Sequence, residues 1–126
     1  MVEHLLENGL GGLPLIVGGR SSGARVACRT AEGTGAAGVL CLAFPLQPAS
    51  RPGAPERPSR LPELDAVGVP MLIVQGERDP FGVPPEAAGR TVARVAGDHG
   101  LKGDLPGVTA AVGSWLDRVL ARVVAG

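Results

Sequence analysis

The sequence has few aromatic residues, a single lysine and no excess of either charge. Tyrosine is absent, and the 126 residues hold two phenylalanines and one tryptophan, so the core must be built from Val, Leu, Ile and Ala. Twelve basic residues balance twelve acidic ones. Because no run of like charge occurs either, neither nucleic acid nor an anionic membrane is expected as the main partner.

Long apolar runs and a cysteine-rich pattern are missing as well. No apolar stretch approaches membrane-spanning length, and the opening residues 1–9 are too polar for the core of a secretory signal. The two cysteines, Cys28 and Cys41, lie far apart in apolar surroundings, which favours reduced core thiols over a disulfide or a metal site. We therefore expect a cytoplasmic protein with one domain over residues 1–126.

Neither a metal ion nor a cofactor is expected. The two histidines, His4 and His99, are distant in the chain, and no carboxylates cluster near them to complete a ligand set. Gly33-x-Gly35-x-x-Gly38 matches the dinucleotide fingerprint, but that fingerprint must follow a strand and open a helix. Here it follows a predicted helix and opens a predicted strand, so a flexible connection is the preferred interpretation.

The most informative stretch is a glycine-rich corner that follows an apolar run. Gly19-x-Ser21-x-Gly23 fits the G-x-S-x-G nucleophile elbow, in which a sharp strand-to-helix turn lifts a serine hydroxyl above a sheet. Small residues are expected on both sides of the serine because the two backbones pass close together there. The amide of Ser22, at the helix start, would stabilise an oxyanion. The alternative is that Ser21 is an ordinary helix N-cap.

Apolar runs and helical patterns alternate along the rest of the chain. Strands are predicted over residues 13–17, 38–44, 69–75 and 91–96. Longer helices are predicted over residues 1–8, 22–32 and 108–123, and short helical turns over residues 61–67 and 84–89. This alternation predicts an α/β fold with about four mostly parallel strands and helices on both faces.

A proline-rich segment, residues 45–62, interrupts the alternation. It holds six of the twelve prolines and cannot form a regular element. Its proline spacing resembles that of a ligand for an SH3-type domain. We favour an ordered loop over the end of the sheet, because the segment lies between two predicted core strands.

Three side chains with complementary chemistry follow three of the predicted strands. A serine nucleophile needs a base, and the base needs a carboxylate that orients it. Ser21, Asp79 and His99 supply these groups in the chain order of α/β-hydrolases. Because the carboxyl ends of parallel strands meet at one edge, we expect the three to converge. The competing carboxylates are Asp98 and Glu77.

Each of these residues also has a structural interpretation. Asp79 could be a plain turn former before proline, and His99 could be structural. Arg20, inside the elbow, could orient an anionic substrate or form a salt bridge, and the sequence leaves both open. His4 is expected on the solvated side of the opening helix.

Three segments together resemble a known family. They are residues 15–23, residues 38–48 and residues 72–82, the last reading Leu-Ile-Val-Gln-Gly-Glu-Arg-Asp-Pro-Phe-Gly. They resemble the α/β-hydrolase-like domain of the testis-expressed protein 30 and KAT8 regulatory complex subunit 3 group, called dienelactone-hydrolase-like in bacteria. The resemblance implies a nucleophile at Ser21, an acid at Asp79 and a base at His99. Larger relatives on this fold hydrolyse esters, lactones and peptides through an acyl-enzyme, and we expect a small ester, thioester or lactone as the substrate of this chain.

The chain departs from this family in lacking the strands that precede the elbow. That missing half supplies a second oxyanion-hole amide and one wall of the substrate pocket in the family pattern. The chain is therefore expected to be the C-terminal half of the fold, with the elbow strand as an exposed sheet edge. Such an edge favours pairing with another chain, which makes a homodimer through it one of three open alternatives. The other two are a misplaced coding start and a fragment with little activity. The alternative function is a non-catalytic or truncated interaction module.

Overall fold

The fold was obtained as a computed structural model that describes residues 15–48, 52–55 and 57–125. The predicted helix over residues 1–8, with His4, and the start of the first predicted strand lie outside this range. In chain order the elements are β1 (Ile16–Arg20), α1 (Ser22–Thr34), β2 (Gly38–Leu42), α2 (Leu61–Asp65), β3 (Met71–Gly76), β4 (Arg90–Val95) and α3 (Leu105–Ala125).

The four strands form one parallel sheet in the order β1-β2-β3-β4. In the register of the sheet, Val17 pairs with Val39 and Val39 pairs with Met71, so neighbouring strands run in the same direction. All four carboxyl ends therefore lie at the same edge. The predicted α/β class, a partial α/β-hydrolase fold, is confirmed.

The sheet buries two apolar clusters, one on each face. Along β3 the side chains alternate between them, with Met71 and Ile73 in one cluster and Leu72 and Val74 in the other. The first cluster packs under α1 and α2, and the second packs under α3. Burial on both faces explains why β2 and β3 read as continuous apolar runs in the sequence.

Several element boundaries differ from those predicted. Strand β2 ends at Leu42, because the next residue, Ala43, has a φ of 59° that cannot continue a strand. Helix α1 continues to Thr34 and ends on Gly35, whose left-handed φ of 68° caps it. The short helix predicted over residues 84–89 is wrong, since those residues form an irregular segment with a bridge between Ala87 and Arg90.

Among its described side chains, the last helix follows an apolar periodicity of three and four residues with one exception. The Asp104 carboxylate accepts a hydrogen bond from the Gly107 amide at 3.0 Å, which caps the helix start. Trp115 and Val119 are buried against the sheet. Leu120 lies four residues after Leu116, a spacing that predicts the same buried face, but its side chain is 39% exposed. None of the helices in the described ranges is long and apolar enough to cross a membrane.

Hydrogen bonds join the two ends of the proline-rich segment to each other and join its start to the loop after β3. The amide of Gln47 donates to the Phe81 carbonyl at 2.8 Å, and the amide of Arg60 donates to the Leu46 carbonyl at 2.8 Å. The Arg60 guanidinium also donates to the Pro45 carbonyl at 2.8 Å. The described middle of the segment, residues 52–55 and 57–59, is exposed and contains no helix or strand.

The two cysteines, distant in the chain, are neighbours in the core. Cys28 on α1 and Cys41 on β2 are both buried free thiols, with their Sγ atoms 3.6 Å apart. Hydrogen bonding with Cys28 and burial together raise the pKa of the Cys41 thiol. A buried thiol with a raised pKa is a poor nucleophile.

We expect neither thiol to react with a thiol reagent in the native protein, and both to react once the chain is unfolded. Burial and the shortage of thiolate at Cys41 both slow the native reaction. Titration with Ellman's reagent with and without denaturant measures this. A single fast-reacting native thiol, or an unfolded chain with no free thiol, would contradict the described core.

Candidate active site

The structure brings Ser21, Asp79 and His99 together at the carboxyl edge of the sheet. Ser21 directly follows β1, Asp79 lies in the loop after β3, and His99 lies in the loop after β4. The Ser21 Oγ is 2.8 Å from His99 Nε2, and His99 Nδ1 is 2.7 Å from an Asp79 carboxylate oxygen. With a proton on Nδ1, the histidine donates to the carboxylate and accepts from the serine hydroxyl.

The backbone turn at Ser21 explains why its hydroxyl faces the histidine. Its φ and ψ are 53° and −118°, a combination that is rare for a residue with a side chain. The Ser21 amide donates to the Leu42 carbonyl at 2.9 Å, which ties the turn to β2. Its side chain makes no capping hydrogen bond to α1, so the N-cap alternative does not describe this hydroxyl.

The N-terminus of α1 lies beside the serine. Ser22 is the first residue of α1, and amides of the first helical turn have no partner within the helix. The helix dipole adds a partial positive charge there. The Ser22 amide is therefore suited to bind a negative oxygen.

The two glycines of the elbow have different roles. A Cβ atom on Gly19 would come within 2.2 Å of the Gly23 carbonyl oxygen and 2.7 Å of the Ala24 nitrogen. A Cβ atom on Gly23 would meet nothing within 4 Å. The expectation that both positions must be small is thus correct for Gly19 and wrong for Gly23. A side chain on Gly19 would collide with the backbone of Gly23, whereas a side chain on Gly23 would enter open space.

This asymmetry provides a matched pair of substitutions. Gly19→Ala should destabilise the protein by about 1–3 kcal/mol, because the strand and helix backbones must separate. Gly23→Ala should be neutral or stabilise by up to about 1 kcal/mol, because alanine favours a helix. Chemical denaturation of both variants and the parent measures the difference. Equal stability of the two variants would show that the turn is not tightly packed.

The acid of the site is held in a buried turn. The Asp79 side chain has no exposed surface, whereas the side chain of His99 is 25% exposed. One Asp79 carboxylate oxygen accepts a hydrogen bond from the Phe81 amide at 2.8 Å, and the other accepts from Gln75 at 3.0 Å as well as from His99. The Phe81 ring packs against the imidazole with 4.7 Å between centroids. Asp79 and Phe81 thus hold the imidazole from two sides.

The other candidate residues lie outside this chain of hydrogen bonds. The Asp98 carboxylate accepts from the Gly100 amide at 3.0 Å, and Glu77 is exposed. Arg20, for which the sequence left a salt bridge and a substrate contact open, donates to the Gly100 carbonyl, next to His99. Its side chain is exposed at the rim of the site.

Sequence reasoning missed Gln75. This residue ends the apolar run of β3, is fully buried, and donates directly to the Asp79 carboxylate. The available signal was a single polar side chain in an otherwise apolar buried strand. In the described parts of the chain, no group of three or more histidine, cysteine, aspartate or glutamate residues could hold a metal ion.

Comparison with known proteins is consistent with this geometry. A family model described as an alpha/beta hydrolase domain matches residues 1–104. Among solved structures, the TT1662 protein from Thermus thermophilus is 29% identical and superposes with a TM-score of 0.57. The match covers 94% of this chain and 58% of that protein, so this chain spans well under two thirds of its length.

A second similar structure is the thioesterase domain from the curacin biosynthetic pathway. It is 14% identical, with a TM-score of 0.56, and the match covers 88% of this chain and 68% of that domain's chain. At this identity the likeness shows the fold alone. No curated protein matches the chain.

Proposed function

The chain belongs to the alpha/beta hydrolase domain family, and from that premise we propose that it is a serine hydrolase with Ser21 as its nucleophile. The observation that carries the proposal is the continuous hydrogen-bonded chain from hydroxyl to carboxylate, 2.8 Å from Ser21 to His99 and 2.7 Å from His99 to Asp79. A serine, a histidine and a buried carboxylate in this order are what nucleophilic acyl transfer requires.

In the acylation step, His99 Nε2 takes the proton of the Ser21 hydroxyl while the oxygen attacks the substrate carbonyl. Asp79 holds the Nδ1 proton and stabilises the imidazolium that forms. The tetrahedral intermediate places a negative oxygen near the start of α1, where the Ser22 amide donates to it. Collapse of the intermediate breaks the bond to the leaving group, which receives the proton from His99.

The second half of the reaction repeats these roles with water. His99 removes a proton from a water molecule, the resulting hydroxide attacks the acyl-enzyme, and Ser21 leaves with a proton from His99. The exposed quarter of the His99 side chain supports this step, because water must reach the imidazole. No cofactor takes part in this chemistry.

We further propose that the substrate is a small ester, thioester or lactone. The three segments that resemble the testis-expressed protein 30 and KAT8 regulatory complex subunit 3 group, dienelactone-hydrolase-like in bacteria, support that finer placement. Arg20 supports it less directly. Its exposed guanidinium, fastened to the Gly100 carbonyl, would attract an anionic part of a substrate at the rim.

A fluorophosphonate probe should label Ser21 in the parent protein. Ser21→Ala should abolish labelling, and Asp79→Asn should slow it by roughly a thousandfold or more, because the histidine loses the partner that fixes its tautomer. Mass spectrometry of the labelled protein identifies the modified residue, and the time course of labelling measures the rate.

Glu77→Gln is the matched control for Asp79→Asn. Glu77 is a carboxylate of the same loop, but it is exposed. We expect its amide variant to label at the parent rate. A folded parent protein that is not labelled at Ser21 would refute the proposed hydrolase.

We also propose that the protein forms a homodimer through the free edge of β1. Leu15 accepts from Ala37 and Ser21 donates to Leu42, so these residues of β1 and its flanks face β2. In a parallel ladder alternate residues face the same neighbour, which leaves the amides of Gly18 and Arg20 pointing away from β2. In the described part of the chain no strand pairs with that side, and such an edge favours pairing with a second copy.

The same edge gives a second candidate function, that of a non-catalytic interaction module. Light scattering after size-exclusion chromatography should give twice the 12.7 kDa of one chain. Hydrogen exchange should be slow at the amides of Gly18 and Arg20. A monomer with fast exchange at both amides would contradict the dimer. Dimerisation without labelling of Ser21 would favour the interaction module over the hydrolase.

A further inference from the structure

Gln75 has a hydrogen-bonding environment that an ordinary core position would not need. Its side chain is fully buried at the carboxyl end of β3. Its oxygen accepts from the Phe44 amide at 2.9 Å, and its nitrogen donates to the Phe44 carbonyl at 2.8 Å. The same nitrogen lies 2.8 Å from the Gly82 carbonyl oxygen and 3.0 Å from an Asp79 carboxylate oxygen.

Phe44 determines which way the Gln75 amide points. If the amide group were turned over, its NH2 would meet the N–H of Phe44, and two donors would face each other. The oxygen must therefore lie toward the Phe44 amide. This leaves the NH2 group directed at Asp79 and at the two carbonyls.

The Gln75 nitrogen is also shared among more acceptors than it has hydrogens. It carries two hydrogens and has three acceptors within 3.0 Å, which are Phe44, Gly82 and Asp79. A hydrogen bond to a charged group is stronger than one to a carbonyl. One hydrogen of the Gln75 amide therefore bonds preferentially to the Asp79 carboxylate. The carbonyls of Phe44 and Gly82 keep the Gln75 side chain from rotating.

We propose that Gln75 is a positioning residue that aims the Asp79 carboxylate at His99. The Asp79 oxygen that receives Gln75 is the same oxygen that receives His99 Nδ1. The other oxygen is held by the Phe81 amide. With both oxygens held from fixed directions, the carboxylate cannot turn away from the imidazole. This inference rests on the proposed hydrolase function.

A purely structural role explains less of the arrangement. The preceding residues of β3 are the apolar side chains Ile73 and Val74, which pack without any need for partners. The free-energy cost of burying a side-chain amide is offset only when its polar groups are hydrogen-bonded. Among the described residues, no buried side-chain nitrogen or oxygen lacks a partner. Gln75 meets that condition by connecting the end of β2 with the loop that carries Asp79.

The test compares Gln75→Met and Gln75→Glu with Leu64→Ala. Methionine keeps the length of the side chain and removes its donors. Glutamate keeps an acceptor for the Phe44 amide but replaces the amide nitrogen with a second carboxyl oxygen beside Asp79, which repels the Asp79 carboxylate or competes with His99 for it. Leu64, a residue of α2, is buried in the first apolar cluster, so its truncation destabilises the protein without altering a partner of Asp79. Circular dichroism and thermal unfolding establish which variants fold.

Two readouts separate positioning from stability. The rate of labelling of Ser21 by the fluorophosphonate probe should fall about tenfold to a hundredfold in both Gln75 variants, because both lose the amide donor that orients the Asp79 carboxylate. The downfield proton resonance of His99 Nδ1–H should shift or broaden in both variants. Leu64→Ala should retain the labelling rate and the resonance at temperatures where it is folded.

Parent-like labelling and an unchanged resonance in any folded Gln75 variant would overturn the proposal, as would an equal loss in Leu64→Ala. If the parent protein is not labelled, the hydrolase proposal fails. The His99 Nδ1–H resonance of the Gln75 variants then still tests whether Gln75 orients Asp79 toward His99. Hydrogen exchange of the Gln75 side-chain amide in the parent requires no variant. Slow exchange supports the proposal, and fast exchange overturns it.

Discussion

The parallel pairing of the four strands is the constraint on which the site depends. In a parallel sheet the carboxyl ends of all strands lie at one edge, so loops that are remote in the chain begin at that same edge. Ser21 and His99 are separated by 78 residues and follow the outer strands β1 and β4, yet the loop after β4 brings the His99 side chain to 2.8 Å from Ser21. An antiparallel arrangement of the same strands would carry at least one of the two to the opposite edge.

Parallel pairing brings the loops near one another, and buried polar contacts then determine the distances between side chains. The Asp79 carboxylate has no exposed surface and accepts hydrogen bonds from His99, Phe81 and Gln75. A buried carboxylate without such donors would be costly. The same hydrogen bonds that make its burial tolerable also orient it, so the stability of this loop and the geometry of the site have a common cause.

Ser21 illustrates how packing produces backbone strain at a useful position. The Cβ-free backbone of Gly19 allows α1 to begin directly against β1, with the Gly23 carbonyl in the space a side chain would take. The chain can turn this sharply only if Ser21 adopts a positive φ, 53°. The surrounding sheet and helix hold it there, and the hydroxyl consequently faces the imidazole instead of the helix it precedes.

The sequence by itself determined the fold class and most of the element order, because continuous apolar runs alternating with helical patterns have few solutions other than a parallel sheet covered on both faces. It also identified Ser21, Asp79 and His99 as neighbours, since each follows a strand. It could not reveal that residues 84–89 are irregular, that Leu120 is exposed or that Gly23 has room for a side chain. Only the tertiary structure decided those points and the role of Gln75, because each depends on which atoms of a distant segment occupy the adjacent space.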